Sequence, residues 1–312
     1  MKIAIYYHTS FGRNDGPPLY YWNVLKNQMG LDVTHLIPDG DISRFGKFDY
    51  HFWVDYGEDG LPVDHTWEIP KDGGKTIYVC SDAHISEEGK KYRYNHATKF
   101  DYVFFNQKRF VDEYKAEYGY QASSTQHVSW LPHAAEPQAY PKYEILKKWD
   151  VSFIGHVQTT PNYNGMTRID ALDALFKEFP NFYFGTRTPL DPKVNLFEDA
   201  AKKFCQSKIV FNISIKDDVN MRVFEALSTG SFLLTNEIPT LSELFQDKVH
   251  LVTYNSYADM LQKAHYYLEH EDERECIAKA GYESFITSHT YRERINTIFK
   301  TIGVTLPGKE VK

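Results

Sequence analysis

Residues 209–235 read IVFNISIKDDVNMRVFEALSTGSFLLT, and this stretch decides the fold of the chain. It opens with an apolar, β-branched run, Ile209–Ile213, that predicts a buried strand. A polar loop leads into an amphipathic helical pattern that ends at Gly230, a residue typical of the position just after a helix. A second apolar run, Ser231–Thr235, follows at once. A strand, a helix and a strand in this order predict a parallel pair of strands.

The same alternation continues through the 312 residues. One helix is marked by Tyr257, Leu261, Ala264 and Leu268 at helical spacing, with Ser256 as its N-cap. Short apolar or aromatic runs predict strands at Lys2–Tyr7, Asp32–Ile37, Tyr50–Val54, Thr76–Cys80, Tyr102–Asn106, His127–Leu131, Val151–Gly155, Phe182–Gly185, Ile209–Ile213, Phe232–Thr235 and His250–Thr253.

A region with few strand formers, His133–Trp149, divides the strands into two groups, and it contains Pro137 and Pro141. We therefore expect an α/β chain of two Rossmann-like, doubly wound domains that face each other across a cleft. The predicted N-terminal domain spans 1–135, a linker spans 136–149, and the C-terminal domain spans 150–288. A final helix and tail, 289–312, are expected to pack back on the N-terminal domain.

The composition indicates an ordinary globular protein, since 42% of the residues are hydrophobic and 25% are charged. The net charge of −7 gives no overall basic footprint for nucleic acid or anionic membranes. Three scattered cysteines predict free thiols in a reducing compartment. The first residues read as a strand rather than a signal peptide, and the apolar runs are too short to span a bilayer. We expect a soluble, cytoplasmic protein without an integral membrane segment.

The candidate chemistry lies where strands end, because ligands of open parallel sheets bind at the carboxyl ends of the strands. The helix that begins after Asn220 offers free N–H groups and a positive dipole end, which suit a phosphate. Arg222 adds a charged donor, Glu225 could accept hydrogen bonds from ribose hydroxyls, and Asp217 could hold a sugar hydroxyl. The alternative is an ordinary amphipathic helix whose acidic residues complement its dipole.

These residues resemble the retaining glycosyltransferases of the GT-B fold, related to family 4, which carry two acids separated by seven residues. Glu225 opens the matching EALSTG stretch, whereas the first acid is Asp217 instead of the usual Glu. A closer resemblance is to the CgeB-like (spore maturation protein type) glycosyltransferases. It rests on DVSFIG at 150–155, NMRVFE at 220–225, LF at 244–245, HTY at 289–291 with Arg294, DYVF at 101–104 and WLPHA at 130–134.

The resemblance implies a hexosyltransferase-type glycosyltransferase. It would move a sugar from a nucleotide-diphosphate sugar, with a UDP-sugar as the expected donor, to an unidentified hydroxyl acceptor with retention. The acceptor could be a glycan, a protein, a small molecule or DNA. The C-terminal domain would hold the donor and the N-terminal domain the acceptor. No metal or other cofactor is required, because a helix N-terminus and basic side chains can offset the charge of the leaving group.

The expected site combines positions from both domains. Gly155 would let the backbone approach the diphosphate, and Arg168 is a phosphate candidate whose alternative is a solvated surface arginine. The expected donor-binding residues are Glu225, Arg222, Asn220, Met221, Val219, Gly155, Arg168 and Arg187. Asp217, His84 and Asp82 are the expected catalytic residues, with Asp82 setting the protonation of His84. His8, Gly12 and Arg13 are expected on the acceptor side.

Two other classes of function stay open at this point. One is a nucleotide-sugar epimerase or hydrolase on the same fold, and the other is a non-catalytic module that binds nucleotide sugars or glycans. The sequence contains neither a phosphate-binding P-loop nor the glycine pattern of NAD enzymes. Their absence disfavours a P-loop NTPase and a typical NAD enzyme. Asp55 and Asp59 could suggest a metal-binding acidic cluster, but a turn is the favoured reading.

Overall fold

The computed structural model describes residues 1–7, 16–36, 45–55, 70, 72–81, 83, 87–157, 159–185 and 198–305. The chain divides into two compact units. The first unit comprises Met1–Pro132 together with Tyr291–Lys312, and the second comprises His133–Thr290. Each unit is built around one sheet in which every observed strand pair is parallel.

All the predicted strands are present, and each boundary lies within two residues of its prediction. In chain order they are β1 Lys2–Tyr6, β2 Asp32–Leu36, β3 Tyr50–Asp55, β4 Lys75–Cys80, β5 Tyr102–Phe105, β6 His127–Trp130, β7 Trp149–Ile154, β8 Phe182–Gly185, β9 Ser207–Asn212, β10 Leu233–Asn236 and β11 Val252–Tyr254.

The helices connect these strands, as parallel pairing requires. They are α1 Pro17–Asn23, α2 Glu87–Ala97, α3 Lys108–Glu117, α4 Arg168–Glu178, α5 Glu198–Cys205, α6 Met221–Ser228, α7 Tyr257–Glu269, α8 Glu271–Ser288 and α9 Tyr291–Thr301. None of the helices in the described ranges is both long enough and apolar enough to cross a bilayer.

The first unit contains six strands in the order β2-β1-β3-β4-β5-β6. Helix α9 belongs to this unit although it follows the second sheet in the chain, as the sequence predicts. The ring of Tyr291 lies 5.1 Å from the rings of both Tyr20 and Tyr21, measured between centroids. Arg294 Nε donates a 2.8 Å hydrogen bond to the carbonyl of Pro132. The final helix is therefore part of the packing of the first unit.

The second unit contains five strands in the order β11-β10-β9-β7-β8. Alternate residues of its strands enter two separate hydrophobic clusters. Ile209 and Phe211 of β9 pack with residues of α4 and α7, whereas Val210 packs with residues of α5 and α6. Helices thus cover both faces of the sheet, and the expected α/β architecture of two Rossmann-like sheets is confirmed.

The three cysteines are free thiols, as expected, with Cys80 and Cys205 buried and Cys276 exposed. The thiol of Cys205 accepts a 3.3 Å hydrogen bond from the amide of Tyr143, which lies in the chain segment that joins β6 to β7. Burial raises the pKa of Cys205. The buried thiol therefore serves packing of this region and is a poor nucleophile.

Candidate functional site

The loop between β9 and α6 carries the central part of the candidate site. At Lys216 the backbone adopts a left-handed conformation, with φ of 52°, and its amide donates to the carbonyl of Pro161. Asn220 is the N-cap of α6, but its side chain makes no capping bond. The first amides of α6 therefore receive no side-chain cap from Asn220, and they lie at the carboxyl end of β9 where a parallel sheet binds ligands.

Asn212, the last residue of β9, organises the polar groups around this helix start. Its Oδ1 accepts hydrogen bonds from Arg222 Nη1 at 2.9 Å and from Asn220 Nδ2 at 3.2 Å. Its Nδ2 donates to Thr235 Oγ1 at 2.9 Å. Asn212 is fully buried. Asn212 is not among the site residues predicted from the sequence, although an amide at the end of an apolar strand is a visible signal.

Arg222 and Gly155 form one packed arrangement. The Arg222 guanidinium lies 4.6 Å from the ring centroid of Phe153, which is a cation–π contact. It also lies so close to Gly155 that an added Cβ at that position would overlap it. The glycine after β7 thus makes room for the arginine, in addition to any approach of the backbone to a ligand.

Arg168, the first residue of α4, is buried with 6% of its surface exposed, so the alternative of a solvated surface arginine is wrong. Its Nη2 donates to the Ile213 carbonyl at 2.8 Å, and its Nη1 donates to the His156 carbonyl at 2.7 Å. Burial lowers the pKa of Arg168, while the negative charge of Asp218 opposes that shift. Arg168 therefore ties together the chain segments that follow β7 and β9, and it adds a positive charge beneath them.

The two acids of the predicted pair differ in exposure. Glu225 lies inside α6 with 2% of its surface exposed, whereas Asp217 is partly exposed in the preceding loop. Val219 is buried and packs with the cluster on the α5 and α6 face, and Met221 is partly exposed at the first position of α6. The structure therefore places Val219, Asn220, Met221 and Arg222 together at the helix start, with Glu225 one turn further in.

An exposed aromatic residue that is not among the predicted site residues lies on β8. The ring of Phe184 is 42% exposed and stacks on Phe153, with ring centroids 6.2 Å apart and planes 6° from parallel. Phe153 is the same ring that contacts the Arg222 guanidinium. The edge of the candidate site thus presents an apolar ring beside a cation.

Several expected site residues lie outside the described residues, namely His84, Asp82, Arg187, His8, Gly12 and Arg13.

Asp59 also lies outside the described residues, but Asp55 ends β3 and is buried. The Asp55 carboxylate accepts hydrogen bonds from Arg93 Nε at 2.9 Å and from the Tyr78 hydroxyl at 2.5 Å. Asp55 therefore forms a buried ion pair in place of the favoured turn. Within the described ranges, no group of three or more His, Cys, Asp or Glu side chains could hold a metal ion.

Residues 176–300, which include the loop and helix just described, match a family model described as "Glycosyl transferase-like". A search of curated proteins finds no match. Many solved structures match the fold of the chain.

Anabaena Alr3699/HepE in complex with UDP-glucose is 11% identical with a TM-score of 0.67, and the match covers 97% of this chain and 99% of that one. Sucrose-phosphate synthase from Thermosynechococcus elongatus is 8% identical with a TM-score of 0.61 over 97% and 99% of the two chains. A glycosyltransferase from Rickettsia africae is 13% identical with a TM-score of 0.61 over 96% and 97%. The chain therefore has the GT-B glycosyltransferase fold, and its residues 176–300 carry the glycosyl transferase-like sequence pattern.

Proposed function

We propose that the protein is a glycosyltransferase that moves a sugar from a nucleotide-diphosphate sugar, with a UDP-sugar as donor, to a hydroxyl acceptor. One observation carries this proposal. The family match and the polar cluster of Asn212, Asn220 and Arg222 coincide at the start of α6. Solved structures of the same fold contain UDP and UDP-glucose, which supports a UDP-sugar as the donor.

The proposed grip on the diphosphate combines the amides at the start of α6 with the Arg222 guanidinium. The helix start has a positive dipole end, and a guanidinium adds charge-assisted hydrogen bonds to phosphate oxygens. Arg168 would contribute its positive charge without a direct hydrogen bond to the diphosphate. Its guanidinium donors are occupied by the carbonyls of Ile213 and His156. These groups would offset the charge of the departing nucleotide diphosphate, so we propose a reaction that needs no metal ion.

Two acids complete the proposed donor site. We assign the ribose hydroxyls to Glu225 and a hydroxyl of the transferred sugar to Asp217. With 2% of its surface exposed, Glu225 must become accessible at the helix start when the ribose binds. Phe184 offers an exposed apolar ring against which a flat nucleobase can pack. His84 and Asp82 remain proposed positioning residues for the transferred sugar.

We further propose retention of the anomeric configuration, without a protein nucleophile, so that the acceptor attacks on the face from which the nucleotide departs. The CgeB-like resemblance and the relation to family 4 enter here as part of the proposal. The anomeric configuration of the product, read by NMR, tests the stereochemical part. An inverted product would overturn it while leaving transfer itself intact.

The first experiment is a thermal-shift screen against UDP-, GDP-, ADP- and dTDP-sugars. A UDP-sugar at 100 times its dissociation constant should stabilise the protein by about 2.7 kcal/mol. Glu225→Gln should abolish most of this shift, whereas the exposed control Glu237→Gln should keep it. The absence of a shift with every nucleotide sugar would contradict the proposed donor site, and full binding by Glu225→Gln would remove Glu225 from it.

The second experiment separates transfer from the other classes. The protein is incubated with the bound donor, first alone and then with a panel of hydroxyl acceptors. We expect product only with an acceptor. Rapid epimerisation or hydrolysis of the donor alone would favour an epimerase or hydrolase. Donor binding without turnover across the panel would favour a non-catalytic module.

A further inference from the structure

The buried ring of Phe153, in β7, contacts two positively charged side chains. The Arg222 guanidinium lies 4.6 Å from the ring centroid, and the Arg168 guanidinium lies 5.6 Å from it. Both distances fall within the range of about 6 Å over which a cation is attracted to the face of an aromatic ring. One ring therefore attracts guanidinium groups from two helices, α6 and α4.

The two arginines are brought together by the order of the strands. Arg168 begins α4, which follows β7, and Arg222 lies in the first turn of α6, which follows β9. Since β7 and β9 are neighbours in the sheet, both helices start from the same part of its carboxyl edge. Like charges at close range repel each other, and they do so more strongly where water is excluded. The arrangement therefore requires a group that attracts both.

An aromatic ring supplies this attraction without carrying a negative charge. The Asp218 carboxylate also acts on Arg168, but a further carboxylate between the arginines would repel a bound phosphate. The face of a ring attracts cations through its quadrupole and leaves their positive charge available to an anion. Phe153 therefore suits a site that keeps two cations ready for a diphosphate.

Neighbouring contacts fix the ring in place. Phe153 stacks on Phe184, and its centroid lies 6.2 Å from that of Phe211 with the planes 50° apart. It also belongs to the hydrophobic cluster that includes residues of α4 and α7. An added Cβ at Gly155 would lie 3.2 Å from Phe153 Cζ, so the backbone at this glycine also packs against the ring. The ring is thus a rigid support for the guanidinium groups.

The simplest alternative is that Phe153 only fills the apolar core. A leucine would then serve nearly as well, because the free energy of apolar burial does not require the π electrons of a ring. The two guanidinium groups favour an electrostatic role, since charged groups are costly to pack against an apolar surface that gives nothing in return.

We propose that Phe153 is a positioning residue for the donor diphosphate, whose ring holds the Arg222 and Arg168 guanidinium groups beside the start of α6. Asn212 Oδ1 accepts from Arg222 Nη1 at 2.9 Å and fixes one edge of this guanidinium, while the ring fixes its face. Arg222 then meets a phosphate without first being ordered, which lowers the cost of binding. This inference rests on the proposed function, since it assigns Phe153 to the proposed donor site.

The test replaces Phe153 in the full chain by mono-, di- and trifluorinated phenylalanine. Fluorine withdraws electrons from the ring face with little change in size, so it weakens the attraction to cations selectively. The dissociation constants of UDP and of inorganic pyrophosphate, measured by calorimetry, should rise with each fluorine. The trifluorinated protein should bind both ligands about tenfold more weakly, the equivalent of one partly desolvated cation–π contact. A ring that only fills the core would not give this stepwise dependence.

The variant Phe153→Leu should lose about as much affinity as the trifluorinated protein, and the fluorinated series decides the question even where this variant fails to fold. The matched control places the same fluorinated residues at Phe211, a buried ring of the same cluster without a cation–π contact in the described ranges. These control proteins should bind both ligands like the unmodified chain, and thermal unfolding checks that every protein is folded. Unchanged affinity at position 153, or equal losses at both positions, would overturn the role of Phe153.

Pyrophosphate separates this inference from the proposed function. If fluorination weakens pyrophosphate binding in a protein that does not bind UDP, the role of Phe153 stands and the proposed function is contradicted. If UDP binds and fluorination leaves its affinity unchanged, the reverse holds. A protein that binds neither ligand would overturn both.

Discussion

At the scale of single residues, the candidate site depends on side chains that hold one another in place. Asn212 orients Arg222 and Asn220 through one oxygen, and Gly155 leaves the space that the Arg222 guanidinium fills. All of these contacts are made between residues of the chain itself. Preorganised donors of this kind reduce the cost of binding, because fewer side-chain rotamers must be ordered when a ligand arrives.

The substitution Gly155→Ala should displace the Arg222 guanidinium and break its hydrogen bond to Asn212. We expect a loss of about 1–3 kcal/mol in the free energy of unfolding, as for a hydrogen bond to a charged group. UDP-sugar binding, measured by calorimetry, should weaken in parallel. Gly119→Ala is the matched control, because nothing lies within 4 Å of a Cβ at that position. Equal effects of the two alanines would contradict this account.

A pH-dependent contribution is expected from Asp72 in the first unit. Burial alone would raise the pKa of Asp72, but hydrogen bonds from the amides of Phe48 and Gly74 and from His51 lower it below its usual value. A depressed carboxyl pKa stabilises the fold above the unfolded-state pKa of about 3.9, and this stability is lost as the pH falls further.

Asp72→Asn should therefore reduce the free energy of unfolding at neutral pH, and the difference from the unmodified protein should shrink below about pH 4. Urea unfolding at a series of pH values measures this difference. The control is Asp173→Asn, whose carboxylate is 59% exposed in a surface ion pair and should give little pH-dependent difference. A constant difference across the series would show that Asp72 acts through packing alone.

At the scale of helices and strands, most of the fold could be predicted from the sequence. Strands buried between two layers of helices appear as continuous apolar runs, so the positions of these runs along the chain predict the strands. The site was harder to predict from the sequence. The contacts of Asn212 and the burial of Arg168 depend on which strands become neighbours in the sheet. Nothing local to Arg168 shows that its side chain reaches the carbonyls of Ile213 and His156. Phe184 was missed since an edge strand exposes one of its apolar residues.

The start of α7 gives a prediction for a single helix cap. Ser256 Oγ accepts a 3.2 Å hydrogen bond from the amide of Asp259, as its sequence position predicts. Ser256→Ala should lower the free energy of unfolding by about 1 kcal/mol, whereas Ser256→Asp should keep most of it. Chemical denaturation of the three proteins measures both effects. A cap without energetic importance would leave the alanine and aspartate variants equally stable.

At the scale of the whole molecule, the chain leaves its first unit at Pro132 and returns to it at Tyr291. The return is a buried packing contact, since Tyr291 is 2% exposed and its ring meets Tyr20 and Tyr21. Removing a buried aromatic ring costs about 3–5 kcal/mol in comparable cores. The stability of the first sheet should therefore depend on residues that follow the second.

Tyr291→Ala tests this dependence. We expect faster amide hydrogen exchange in the strands β1 to β6, with little change in β7 to β11, because Tyr291 packs within the first unit. Arg292→Ala, an exposed change on the same helix, should leave both sheets as they are. Uniformly faster exchange in both sheets would instead indicate that the two units unfold together.

The returning helix also sets the order in which a nascent chain can mature on the ribosome. The second unit, residues 133–290, is complete in sequence before α9 has been synthesised. The first unit must wait for α9, although its strands leave the exit tunnel before those of the second unit. The half that is translated first is thus the half that is finished last, and chaperones would meet it with an uncovered surface around Tyr20 and Tyr21.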